Sequence, residues 1–256
     1  MDPKIVEAAL AAARERDQPV AEVPLVVIAK AAGMSRSTLI RRIRHRAALD
    51  QACREAGVDP GSRVPVRDRA VAATAHLVTR HGLGAFTLEA VADAARCAVP
   101  SLYAVFGSRD GLLAAVFDHY GPVPDLRQLA ADPPADVEET VRRVYRALTA
   151  VFTREPRVMP ALFADLLARP DGPASRLVHA TLPSMIVPLD ALLSPHVRAG
   201  RLRPLPLPLL VQLLIGPLLA HLLTRSALRA VLPADVPGFD DVCDTFTAAF
   251  LRAAAP

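Results

Sequence analysis

The sequence predicts an all-α fold, and three observations carry that prediction. The chain is 52% apolar yet only 4% aromatic, with no Trp, so its core must be assembled from Leu, Ala and Val, which suits packed helices better than sheets. Its apolar residues recur at helical spacing, as at Leu88, Val91 and Ala95. Pro, Gly and Asp mark the ends of the periodic stretches, where helices stop and start. A length of 256 residues supplies two or three small domains and a sizeable core.

Taken in order, the first helix is the amphipathic stretch at 5–14, and a second follows at 25–32. Gly33 can take the positive φ that a tight turn needs, and Ser35 stands where a side chain would cap the next helix, at 35–44. A short closing helix begins near Arg46, then Gly57 and Asp59-Pro60-Gly61-Ser62 supply a stop and a linker. The next unit repeats the plan: a helix around 70–80, a Thr87-capped helix at 88–95, a break at 96–99, a helix at 99–106 and a closing helix from Arg109. At a constant offset of 63, Leu25 to Ala32 lies over Leu88 to Ala95, Thr38 meets Ser101, Leu39 meets Leu102, Arg46 meets Arg109 and Leu49 meets Leu112. Beyond Tyr120, Gly121 to Pro124 and Asp132 to Pro134 bracket an expected loop, and helical patterns follow at 135–154, 157–169, 172–199, 209–231 and 239–253. The expected division is 1–62, an extra unit; 63–121, the unit that it repeats; and 122–256, a further helical domain.

Two short helices joined by a tight turn make a helix-turn-helix, whose second helix can lie in the DNA major groove. Thr87-Leu88, Ala94-Ala95, Ser101-Leu102-Tyr103, Phe106, Ser108-Arg109-Asp110 and Leu112-Leu113 fall in register over about fifty residues from Arg67. Together they resemble the DNA-binding signature of the TetR/AcrR family of bacterial regulators. Gly200-Arg-Leu-Arg-Pro204 and the Leu-rich helix after it resemble the regulatory domain that accompanies such signatures, which makes 66–256 a full-length member and 1–62 an addition. The resemblance implies double-stranded DNA as partner, and repression as the usual mode. It also implies a cytoplasmic, nucleoid-associated bacterial protein.

Charge placement points to the same partner. The net charge is only +4, but no acid lies between Val23 and Leu49, where Lys30, Arg36, Arg41, Arg42, Arg44 and Arg46 are all basic. Ser35, Arg36, Ser37 and Thr38 open the first recognition helix, where amides and the helix dipole favour phosphate. Arg41 and Arg42 follow Ser37 and Thr38 by four positions and can fork onto guanine, while Arg44 and Arg46 suit backbone phosphates. Ile40 and Ile43 stand where the family has aromatic residues, so its Tyr–phosphate contact is not expected in this unit. In the second unit the resemblance implies phosphate contacts from Thr87, Ser101, Tyr103 and Arg109, with Arg96 replacing a turn glycine. Ala98, Val99, Pro100, Ala104 and Val105 can touch thymine methyls but cannot read guanine. A division of labour is therefore expected, with hydrogen-bonded readout in the first unit and docking on shape in the second. The competing reading makes the first unit a structural or protein-interaction module.

The C-terminal helices call for a different chemistry. The stretch 204–224 holds no charged residue, but Pro204, Pro206 and Pro208 should keep its first third out of a helix, which leaves a segment short for a bilayer; no membrane partner is expected. Leu210, Leu213, Leu214, Pro217, Leu218, Val242, Phe246 and Phe250 read instead as a homodimer interface in a four-helix bundle, with a protomer core as the alternative. Tyr145, Phe152, Met159, Phe163, Met185, Gln212 and His221 are candidates to line a pocket for a small apolar or amphipathic effector, against plain core packing. No catalytic set, cofactor or metal is expected: Asp118-His119, His179 and Asp240-Asp241 come without a phosphate loop, nucleophile elbow or paired histidines. Cys53, Cys97 and Cys243 lack metal or redox spacing, and no cationic-then-apolar leader opens the chain.

Overall fold

The computed structural model describes residues 1–61, 64–84, 86–232 and 236–256, and every regular element among them is helical. The chain forms two compact units, Met1–Pro65 and Val66–Pro256. In the first, α1 (Pro3–Glu15) leads through a 3-10 turn (Val20–Glu22) to α2 (Leu25–Ala31), α3 (Arg36–Ile43) and α4 (Arg46–Glu55). Ile5, Ala9, Ile28, Leu39, Ile43, Leu49 and Cys53 close a core with almost no solvent exposure. Each buried aliphatic is worth about 2–5 kcal/mol against truncation to Ala.

The second unit begins with α5 (Val66–His81), α6 (Leu88–Ala94), α7 (Val99–Phe106) and α8 (Arg109–Tyr120). It continues with α9 (Val123–Ala131), α10 (Val137–Thr153), α11 (Val158–Ala168), α12 (Pro173–Arg198), α13 (Leu207–Val231) and α14 (Phe239–Ala253). One core joins Leu88, Leu102 and Leu112 to Phe152, Met159 and Leu177, so the helices after Tyr120 pack directly on those before it. A second core, built from Val144, Tyr145, Leu189, Leu210, Leu214 and Phe250, lies among α10, α12, α13 and α14.

The repeat is geometric as well as sequential. An offset of 63 carries the first residues of α1, α2, α3 and α4 onto those of α5, α6, α7 and α8. Side chains cap the matching helices: His45 Nδ1 accepts the Ala48 amide at 3.2 Å and Ser108 Oγ accepts the Gly111 amide at 3.0 Å. The turns match in hand. Gly33 (φ +67°) corresponds to Arg96 (φ +50°), and Arg44 (φ +62°) to Gly107 (φ +73°). Each pair has a glycine in one copy and an arginine, strained in the left-handed region, in the other.

Two expectations about the helices change. The segment expected as a loop after Tyr120 contains α9, because Pro124 stands in the first turn, where a missing amide donor costs nothing. Likewise Pro208 falls in the first turn of α13, which therefore starts at Leu207 and runs 25 residues. By length and composition α12 and α13 are both long and apolar enough to cross a membrane. In this fold α12 packs on α9 and α11, and α13 packs on α10 and α14.

Candidate functional site

The α2–α3 and α6–α7 pairs are the helix-turn-helix corners. Ser35 Oγ accepts the Thr38 amide at 3.2 Å and lies 2.9 Å from the Ser37 and Thr38 hydroxyls, so it locks the first turn of α3. Thr87 Oγ1 does the same for α6 through the Ala90 amide, also at 3.2 Å. Arg36, Ser37, Arg41 and Arg44 all stand exposed on or just after α3, while Leu39 and Ile43 point into the core. Arg42 meets Asp2 at 3.0 Å, with both side chains well exposed, a pair worth at most about 1 kcal/mol. Lys30, exposed in the last turn of α2, adds a cation to this surface.

On α7 the exposed side chains are apolar or phenolic. Tyr103 is 54% exposed and Val105 39%, beside exposed Pro100 and Ala104; Ser101 is half-buried. Arg96 is exposed at the turn between α6 and α7.

Two arginines expected to contact phosphate are held by backbone carbonyls of their own unit. Arg46 donates from Nη1 to the Val23 carbonyl at 2.7 Å and from Nη2 to the Val20 carbonyl, with Asp50 beside its Nε at 3.3 Å. Arg109 donates from Nη2 to the Leu83 carbonyl at 2.7 Å and to the Phe86 carbonyl at 3.4 Å, its guanidinium 4.2 Å from the Phe86 ring centroid. The sequence separations, 23 and 26, are the same in both units. Each arginine closes its corner by satisfying carbonyls just ahead of the first helix of the pair, a task that planar, forked donors perform well. Sequence reasoning also missed two braces from α5: Arg69 Nε donates to the Ala95 carbonyl at 2.8 Å, and Arg67 lies 5.5 Å from the Phe106 ring centroid. Nothing short of the tertiary contact reveals such braces.

Residues 70–116 match the family model described as bacterial regulatory proteins, tetR family. Residues 70–116 carry a DNA-binding domain of the TetR family. No curated protein matches the chain by sequence. Its TetR fold is similar to that of a TetR family transcription regulator from Marinobacter aquaeolei VT8, at 19% identity and a TM-score of 0.56, over 74% of this chain and 95% of that one. The fatty acid degradation regulator FadR from Bacillus halodurans is similar at 17% identity and 0.57, over 75% of this chain and 97% of that one. FadR from Bacillus subtilis, solved in complex with stearoyl-CoA, is similar at 13% identity and 0.58, over 72% and 97%. The share of this chain covered each time is about the share that the TetR unit makes up.

Within the TetR unit, Phe152, Met159, Phe163 and Met185 come together around an apolar cavity of about 40 Å³ among α10 to α13. Tyr145 does not join them: it is wholly buried in the other core, where burial pushes its phenol well above the usual range. Gln212 is exposed, and His221 lines a different cavity beside Phe246.

The dimer assignments divide by helix face. Leu210, Leu214 and Leu218, at i, i+4 and i+8, point into the protomer core together with Val242 and Phe250. Leu213 and Phe246 are half-buried and Pro217 exposed. The outward stripe of α13 is instead Leu209, Gly216, Ala220, Leu223 and Thr224, next to Leu213 and Pro217. An apolar-all-round helix gives no sequence signal for which stripe turns inward.

Proposed function

We propose that this chain is a ligand-responsive transcriptional repressor that binds DNA as a homodimer with two helix-turn-helix units per protomer. The observation that carries the tandem reading is the twofold occurrence of the arginine clamp, at separations of 23 and 26 in both units. It supports α3 as a recognition helix built like α7. The exposed Arg36, Arg41 and Arg44 then supply guanine and phosphate contacts, and Arg42 joins them by exchanging Asp2 for phosphate. Tyr103 and the apolar surface of α7 suit phosphate docking and thymine-methyl contact. The outward apolar stripe of α13 supports the homodimer: only 17% of that helix's most apolar window is buried in the protomer. The cavity at Phe152, Met159, Phe163 and Met185 supports an apolar or amphipathic effector, as does the relative solved with stearoyl-CoA. Like TetR regulators in general, it would act in the bacterial cytoplasm.

Binding-site selection and footprinting with the intact chain and with an Arg36→Ala/Arg41→Ala variant test this. The tandem reading requires protection beyond two half-sites one helical turn apart, with sequence preference lost in the variant. An unchanged footprint and preference would leave the second unit as the sole reader. A second reading, in which the first unit docks a protein, is favoured by Val26, 57% exposed, and Ile40, 37% exposed, on the faces that would meet DNA.

A further inference from the structure

Outside the interior cavity, the TetR unit has a much larger open cleft of about 820 Å³ between α11 and α13, reaching Thr79 on α5 and Phe239 at the start of α14. Its floor is apolar, lined by Pro160, Ala161, Leu222 and Leu167, the last 73% exposed. Three arginines also line it, Arg157 at the start of α11 and, across from it, Arg225 and Arg229 on α13. Arg225 is only 7% exposed, a charge that proteins rarely bury without an acidic partner. Its guanidinium binds His221 Nε2 at 2.8 Å and the Pro237 carbonyl at 2.7 Å, and it lies 4.2 Å from the Phe239 ring centroid. Among the described residues no carboxylate pairs with Arg225, Arg157 or Arg229; Glu155 is the one acid lining the cleft. Among the described residues lining the cleft, three cations face one anion over an apolar floor.

We infer that this cleft binds an amphipathic organic anion, with its acid group on Arg157, Arg225 and Arg229 and its hydrocarbon body on the apolar floor. Phe152 and Leu222 line both the cleft and the interior cavity, so the body of such a ligand is directed towards the apolar interior. Guanidinium forks match carboxylate, sulfonate and phosphate oxygens, and a guanidinium gives up its own weak hydration readily. Arg225, held by Pro237 and Phe239, is preorganised; Arg157 and Arg229 are exposed and complete the grip. The inference rests on the ligand-responsive part of the proposed function, and it names the chemical class and the site of the effector.

The test is fluorescence titration of the full chain with the anion anilinonaphthalene sulfonate and its neutral counterpart phenylnaphthylamine, which share a ring system. The expected result is saturable binding of the anion, weakened about tenfold or more in the Arg157→Gln/Arg229→Gln variant, the loss expected for one charge-assisted contact. Phenylnaphthylamine binding should change less than about twofold in that variant. Ala164→Phe, which narrows the cleft while keeping every arginine, should weaken both probes together. Unchanged anion affinity in the charge variant, or equal loss of both probes there, overturns the inference. DNA release followed on the same samples separates the two claims: arginine-dependent binding without release removes the effector role and keeps the site. Release by a neutral ligand, with no arginine dependence, keeps the effector role and removes the site.

Discussion

Replacing Arg44 by Gly should make the first unit more stable and a poorer DNA binder at once. Arg44 sits at φ +62°, ψ −57°, between an Ile43 carbonyl and a His45 amide that hydrogen-bond at 2.7 Å. That is a γ-turn of the rarer, strained hand. An L-residue held there costs about 1–2 kcal/mol, which glycine escapes, though glycine gives up about 0.5–1 kcal/mol more backbone entropy on folding. The net gain is about 0.5–1 kcal/mol. Gly107 occupies the same turn in the second unit at φ +73°, so the backbone already accepts glycine there. Hydrogen exchange of the α3 and α4 amides in the full chain reads the effect as roughly two- to fivefold slower exchange. On DNA, loss of one phosphate contact should lower the slope of log affinity against log salt by about 0.9. Exchange that is unchanged or faster would refute the strain argument. An unchanged salt slope with slower exchange would show that Arg44 does not meet phosphate.

The arginine clamp predicts a different response from its surface neighbours: Arg109→Ala should destabilise the chain by about 2–3 kcal/mol in urea unfolding, and Arg109→Lys should recover less than half, since one ammonium cannot serve both carbonyls. His196 is buried, its Nε2 3.1 Å from Thr140 Oγ1, and burial followed by the charge of Arg201 holds its imidazole below the ordinary range, against a weaker pull from Asp136. The folded chain therefore stays neutral at His196 while the unfolded chain takes up a proton. Stability should fall as pH drops below about 6.5 and flatten below the folded pKa, and His196→Gln should remove that component of the urea midpoint's pH dependence. On the outward stripe of α13, Ala220→Glu should convert the proposed dimer to monomers in sedimentation velocity, and the urea midpoint should lose its dependence on protein concentration. A monomeric parent protein would remove the dimer proposal.

The sequence by itself determined whatever depends on neighbours within a few residues. Ser35, Thr87 and Ser108 cap helices because a hydroxyl next to free amides needs nothing else, and Gly33 and Gly107 sit at positive φ because only glycine does so without strain. The offset of 63 was legible because each corner repeats its short-range pattern of apolar and capping residues. Tertiary structure decided what depends on partners far along the chain. Arg46 and Arg109 look like surface cations until the carbonyls 23 and 26 residues earlier fold back beneath them. Leu210, Leu214 and Leu218 could not be told from Leu209 and Leu213 on a helix apolar around its circumference; packing against α10 and α14 chose the buried stripe. Likewise, Tyr145 and Phe152 carry the same local signal, yet one fills a core and the other lines a cavity. The difference is set by the volume the surrounding helices leave, which no short window of sequence records.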